Sequence, residues 1–457
     1  MSEADGTLSA AGVRAVRTVR AGTASGQVVR CDLSDVMLAD LPVSVVFFYP
    51  HALDEERLLD GLARALARVP LFAGRLRTVE GELQIVCDDA GVPVTLADAT
   101  ETLAGAMGRM TLTASGFVDH VQAAAARTGD LPLFTVRLSR LTDGGTALGC
   151  SWHHAVGDVQ TFALFMRGWS AEVEGTEAPG VHLVADREAF LEAALPASDS
   201  GRPGFRLPEP AEAALLAQEV ASAGRANRTV QVYFDAPELD RMREHFSAVA
   251  GRWLSSNDAL CAHVLGAIRQ LDDPADAEER ELTVPVNVRG FLGLPAGALG
   301  NLLGEIQLPC PPGQGPEHLA VRLREAIETF PQSQLSLRSS RAFLARVGRD
   351  RLRECVPLGF NPARKTFTFS NWSRFGVYDV AFEGHRPVAF SPANIVQLPW
   401  VSWLVEGFDG RGRLFTVVLP ARLAGRLRTP AGQAALHPFR EPQDVLPALA
   451  GELRKLA

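Results

Sequence analysis

The residues of this chain best suited to chemistry are Ser151-Trp152-His153-His154-Ala155-Val156-Gly157-Asp158, which follow directly on an apolar run. A neutral imidazole, with an ordinary pKa of about 6.5, is a competent general base near neutral pH. An aspartate four residues beyond His154 invites two readings. Its carboxylate orients the imidazole, as in a triad, or it holds the local fold. The pattern HxxxD is loose by itself, so its weight depends on the elements around it. Upstream, Thr146-Ala147-Leu148-Gly149-Cys150 reads as a buried strand after the turn pair Gly144-Gly145. Downstream, Phe162 to Trp169 carries large apolar residues at helical spacing. The spacing therefore predicts a strand-to-helix junction, with His154 facing a cleft. His153 alternates to the other face of the strand and is expected to pack.

The elements that must position this junction alternate in type. The first half reads as a strand over 43–49 and a helix over 54–68 with Leu58, Leu59, Leu62, Leu66 and Val69 as its apolar stripe. Short strands near 74–79 and 83–87 follow, then a helix around 114–128 and a strand pair 134–141 and 146–153 joined at Asp143-Gly144-Gly145. A further helix is expected over 186–195. Between about 195 and 217 the composition turns to Ala, Pro, Ser and Gly, the signature of a crossover linker. The second half repeats the alternating style. Strands are expected at 229–234, 282–288, 301–308, 366–370, 401–407 and 414–419, with helices at 256–269 and 317–328. These readings give an α/β protein with domains at 1–190 and 226–457 and a linker at 191–225.

Size and composition bound the function. At 457 residues the chain exceeds what one core sustains, roughly 250–300 residues. With 47% hydrophobic and 21% charged residues it is globular. A net charge of −8 speaks against general nucleic-acid binding. The apolar run 43–49 is too short to cross a bilayer, and the arginines Arg14, Arg17 and Arg20 have no apolar segment behind them, so a cytoplasmic protein without membrane association is expected. The six cysteines show no metal-type spacing and read as buried thiols. The basic residues are arginine except for Lys365 and Lys455, so a ligand phosphate would be met by arginine, backbone N–H or hydroxyl groups.

In order and spacing, several segments together resemble the BAHD acyltransferases, acyl-CoA-dependent enzymes known mainly from plants. The resemblance runs through Asp32-Leu33-Ser34-Asp35, 43–49, Leu71-Phe72-Ala73-Gly74-Arg75-Leu76, Pro132 to Asp158, Leu254 to Val264, Val286-Asn287-Val288-Arg289, Leu299-Gly300-Asn301 and Ser370-Asn371-Trp372 to Tyr378-Asp379-Val380. It implies two chloramphenicol-acetyltransferase-like domains of mixed sheet flanked by helices, joined by a crossover loop, with a channel between them. It further implies His154 as general base in a ternary complex without an acyl-enzyme. Asp158 would be turned away and paired with Arg289, a buried pair whose breakage costs about 3–5 kcal/mol. Ser370 and Trp372 would donate to the oxyanion of the tetrahedral intermediate. Ser255 and Ser256 stand where a helix begins, and either cap it or contact pantetheine or phosphate. Arg364 and Arg374 are weaker candidates for the CoA phosphates. No bound cofactor or metal is implied; acyl-CoA is a co-substrate, the acceptor a small-molecule alcohol or amine of specialised metabolism, and the protein a monomer.

Two departures stand out. The family's DFGWG loop is represented by Ala381-Phe382-Glu383-Gly384-His385, lacking its aspartate and tryptophan, so its salt bridge is expected to be absent or rebuilt. The glycine that usually follows HxxxD is Val159. Two other functions compete. A condensation-type enzyme shares the fold and the HHxxxDG motif but takes its acyl group from a carrier protein. A catalytically silent binding protein on the same scaffold would explain the altered loop.

Overall fold

The computed structural model describes residues 12–110, 116–198, 201–272, 279–393, 395 and 397–444. The chain divides into two compact units, 1–193 with 294–302 and 374–395, and 194–293 with 303–373 and 396–457. The units are therefore not the contiguous halves expected from composition: two later segments join the first.

The first unit is built on a six-stranded mixed sheet. Across it run Val13–Val19, Val92–Asp98, Phe134–Arg140, Thr146–His153, Pro42–Tyr49 and Ala389–Pro392. Only Val92–Asp98 and Phe134–Arg140 pair in parallel. The Thr146–His153 strand lies between two antiparallel neighbours and is buried along its whole length. That explains its unbroken apolar character, since a strand covered on both faces loses alternation. Gly149 is required there: a Cβ would stand 1.8 Å from the carbonyl oxygen of Phe117, which crosses that face. On the other face Trp152 stacks on Phe162 of the helix Val159–Glu174, with ring centroids 4.1 Å apart. Phe72 stacks on Phe165 at 4.0 Å, extending the aromatic core. The helix Glu55–Arg68 packs against Val159–Glu174 with the predicted stripe Leu58, Leu59, Leu62 and Leu66 buried.

The second unit holds its own six-stranded sheet, in the order Asn227–Phe234, Arg413–Pro420, Val401–Glu406, Phe367–Asn371, Arg280–Asn287 and Leu303–Cys310. Phe367–Asn371 is parallel to both neighbours and the remaining pairs are antiparallel. The helices Ala236–Ala250, Ser256–Leu271 and Pro316–Glu328 pack together in this unit. Mixed α/β architecture with two sheet-bearing units is thus the observed class.

Local differences from expectation have physical reasons. The predicted helix over 114–128 lies partly outside the described residues, and of the remainder only Ala123–Ala126 is helical. Within the expected linker, Pro210–Ala226 forms a helix with Pro210 in its first turn, where a missing N–H costs nothing.

Candidate active site

His154 sits where the sequence places a junction. The Thr146–His153 strand ends, a single 3-10 turn carries His154–Val156, and Gly157 at φ +157° turns the chain into the helix Val159–Glu174. A Cβ at Gly157 would stand 2.7 Å from the Thr161 side chain, so the turn excludes larger residues. Asp158 is the helix cap: its Oδ1 accepts from the N–H of Thr161 at 2.9 Å. Its Oδ2 accepts from the N–H of Leu302 at 3.2 Å. One oxygen thus serves the helix start and the other the 294–302 segment.

The group that orients His154 is Asn301. Its Oδ1 lies 3.0 Å from His154 Nδ1. Its Nδ2 donates to Asp35 Oδ1 at 2.8 Å and to the carbonyl oxygen of His154 at 2.8 Å. Those two partners accept, which fixes the amide's orientation. Oδ1 can then only accept, so His154 Nδ1 must carry the proton and Nε2 keeps its lone pair. Asp35 is anchored in turn by Arg187 Nη1 at 3.0 Å. Arg187 also donates to the carbonyls of Ala155 and Val156, at 2.6 and 2.7 Å. The arrangement is a chain of four side chains, His154, Asn301, Asp35 and Arg187, that returns to the His154 turn. Burial lowers the His154 pKa below its ordinary value, against support from the nearby carboxylates and Asn301. The ring is held neutral and basic, as proton abstraction requires.

His153 behaves as expected of a packing residue. Its side chain is fully buried, Nδ1 accepts from the N–H of Ala155 at 3.1 Å, and Nε2 lies 3.2 Å from the carbonyl of Ala123. Burial pushes its pKa down to about 4.

In the second unit, Ser370 and Trp372 are together at the end of the Phe367–Asn371 strand. The indole Nε1–H of Trp372 donates to Ser370 Oγ at 2.9 Å. The indole proton is thus used on the serine oxygen, and the serine O–H remains as a donor. Ser255 caps the helix Ser256–Leu271 in a capping box with Asp258, and Arg324 Nη2 donates to the same Oγ at 2.8 Å. Ser256 opens that helix and is half-buried. Arg289 is buried, with its backbone N–H and Nη1 both on Asn287 Oδ1 at 3.1 Å. Among the described residues no cluster of His, Cys, Asp and Glu could hold a metal ion, and no helix is long and apolar enough to cross a membrane.

Comparison with known proteins decides the family. A sequence model of the Transferase family matches residues 25–421. The chain belongs to the Transferase family of BAHD acyltransferases. Curated relatives of this BAHD chain include a pelargonidin 3-O-(6-caffeoylglucoside) 5-O-(6-O-malonylglucoside) 4'''-malonyltransferase of Salvia splendens, 24% identical over 372 residues, covering 76% of this chain and 79% of that protein. A taxadien-5-alpha-ol O-acetyltransferase of Taxus chinensis is 25% identical over 343 residues, 73% of each. Among solved structures, vinorine synthase superposes with a TM-score of 0.67 at 17% identity, covering 91% of this chain and 96% of its own. TRI101 of F. sporotrichioides complexed with coenzyme A and T-2 gives 0.71 at 16% identity, covering 89% and 98%. The first condensation domain of the CDA synthetase shares the fold at a TM-score of 0.56 and 15% identity, covering 95% and 99%.

Within this BAHD chain the altered loop is rebuilt. Phe382 and His385 bridge a tight turn through Glu383 and Gly384, both at positive φ. Glu383 reaches the start of the Glu55–Arg68 helix, accepting from the N–H of Asp54 at 2.9 Å and pairing with Arg57 at 3.0 Å. A carboxylate there also favours the helix dipole. Of the two outcomes expected for this loop, an absent or a rebuilt salt bridge, the structure shows an ion pair, between Glu383 and Arg57. Asn301 and Asp35 lie in motifs that carry the resemblance, whereas Arg187 lies outside all of them. A polar Asn following Gly300 was the one signal for the first. For Asp35, the Asp32-to-Asp35 spacing signals the capping box that the structure contains.

Proposed function

We propose that the protein moves an acyl group from acyl-CoA to the hydroxyl or amine of a small-molecule metabolite, with His154 as general base. The observation that carries this reading is the Nδ1–Asn301 bond, which leaves Nε2 as the proton acceptor. In the first step the acceptor oxygen or nitrogen attacks the thioester carbonyl while Nε2 takes its proton, giving a tetrahedral oxyanion and an imidazolium. The Ser370 O–H, polarised by the Trp372 indole, donates to that oxyanion. Collapse breaks the C–S bond, and the imidazolium returns its proton to the CoA thiolate. No acyl-enzyme forms, and the charge on His154 exists only between the two steps. Asp158, used as helix cap and tether for 294–302, supports geometry and takes no proton. Arg289 and Ser255 serve the fold, and Ser256 retains the role of a contact to the pantetheine arm.

The experiment is release of free CoA thiol across short-chain, aromatic and long-chain acyl-CoAs with a pooled alcohol and amine panel. His154-dependent release supports the reading. Turnover with carrier-loaded thioester but not with free acyl-CoA supports a condensation enzyme, and CoA binding without His154-dependent release supports a silent binder.

A further inference from the structure

A cavity of about 490 Å³ opens in the second unit, walled by Glu281, Glu305, Gln307, Arg202, Arg280 and Arg364 among others. Its chemistry is unbalanced in one respect. Arg280 is held by Asp272 and lies 5.2 Å from the Trp400 ring centroid. Arg364 and Arg202 act on Glu281. Glu305 has no such cation: among the described residues no arginine or lysine lies within ion-pair distance, and its partners are Gln307 Nε2 at 3.1 Å and the hydroxyl of Thr283. Burial, reinforced by the charge of Glu281, raises its pKa to about 7. Gly359 is shaped to leave this carboxyl room, since a Cβ there would stand 2.5 Å from Glu305 Oε1. Arg280, 4% exposed, keeps a buried Nη1 without a hydrogen-bond partner, a spare donor on the same wall.

The cavity lies on the face of the sheet that carries Ser370. Thr283 and Thr368 touch through their hydroxyls at 3.0 Å, and Ser370 follows Thr368 by two residues, so both point to one side. Thr283 pairs with Thr368 and Pro285 with Glu305. Continuing that register puts Ser370, Pro285 and Glu305 in one row, with Glu305 about 10 Å from Ser370 at two strand spacings. A group reacting beside Ser370 and a second group at Glu305 thus stand roughly eight bonds of extended chain apart.

We propose that this cavity is a subsite for a protonated nitrogen of the acceptor substrate, with Glu305 as the specificity-determining counter-ion. The inference rests on the acyltransferase reading for the word acceptor. It adds the substrate class, a compound bearing an organic ammonium about 10 Å from the atom acylated. Bound there, the ammonium supplies the cation that Glu305 lacks, and the Glu305 carboxyl gives up its proton to become its partner.

The test compares two isosteric probes, 7-amino-1-heptanol and 1-octanol, by equilibrium binding to the full-length protein at mildly alkaline pH. A charge-assisted bond predicts that the amino alcohol binds tighter by about tenfold or more. In Glu305→Gln that advantage falls to about twofold or less, with 1-octanol affinity and melting temperature unchanged. Equal affinities in the wild type, no detectable binding of the amino alcohol, or an advantage that survives Glu305→Gln would each overturn the subsite. Thiol release from acetyl-CoA separates the two readings. A Glu305-dependent advantage without any His154-dependent release keeps the ammonium subsite and removes the acyltransferase role. His154-dependent release with no preference for the amino alcohol does the reverse.

Discussion

Replacing Asn301 by alanine should slow the reaction without preventing folding, and the size of the effect follows from the bonds removed. Three are lost: Oδ1 to His154 Nδ1 at 3.0 Å, and Nδ2 to Asp35 and to the His154 carbonyl, each at 2.8 Å. The first matters for rate because the imidazole gains a proton in the transition state. A neutral hydrogen bond becomes a charge-assisted one, a gain of about 1–1.5 kcal/mol over the neutral bond. That predicts a fall in kcat of about 5- to 13-fold with KM little changed, since Asn301 meets His154 and not the substrate. The pH profile separates this from a general loss of fit. On the proposed mechanism His154 is active as the free base, and burial lowers its pKa, so the wild-type acid limb should lie below the ordinary imidazole value. Asn301→Ala removes an acceptor that favours the imidazolium, so the acid limb moves further down. Asn301→Asp places a carboxylate beside Nδ1 and moves it up. Thiol-release kinetics across pH, with an NMR titration of the His154 ring in both variants, provide the readout. Unchanged kcat and unchanged ring titration in a folded Asn301→Ala protein would refute the assignment of Asn301 as the orienting group.

Three further outcomes are expected. Ser370→Ala should cost about 10²- to 10³-fold in kcat, as removal of an oxyanion donor does, whereas Trp372→Phe should cost only about fivefold because its N–H acts through the serine; equal losses would mean that the indole meets the oxyanion directly. Ser255→Ala should lower stability by about 1 kcal/mol through loss of the cap, read as a fall in melting temperature, with a fall in acyl-CoA affinity only where the serine also meets the donor. His153 should make the protein acid-sensitive. Its folded pKa of about 4 lies below the unfolded value, so the stability it contributes is whole above about pH 6.5 and is lost as the pH falls toward 4, amounting to about 3 kcal/mol. His153→Gln, which cannot titrate, should flatten melting temperature over that window, and an unaltered slope would count against the reading.

Much of the scaffold was legible because its elements obey one period each. The run 146–153 is buried on both faces and reads as an unbroken apolar strand. The helix Glu55–Arg68 shows its stripe at helical spacing. Other elements were hidden by competing signals. Val13–Val19 repeats valine every third residue with arginine between, which breaks the strand period of two, and it pairs with a single neighbour at the sheet edge. In 210–226 the proline that argued for a linker is instead the helix start. At the site, His154 and Asp158 were legible because the junction that holds them is local. Asn301 reaches His154 across 147 residues of chain, and no periodicity encodes a contact at that separation.

The exchange of roles between Asp158 and Asn301 follows from what a general base requires. A carboxylate at Nδ1 would hold the imidazole charged more of the time, at the expense of its ability to take a proton. An amide accepts the same N–H and steadies the imidazolium when it forms, yet adds no charge while the ring waits. The aspartate four residues on accepts from backbone N–H groups at the start of Val159–Glu174 and on the segment that delivers Asn301. HxxxD then describes a histidine and the fastener of its orienting residue, so a substitution at Asp158 should act on His154 through the placement of Asn301.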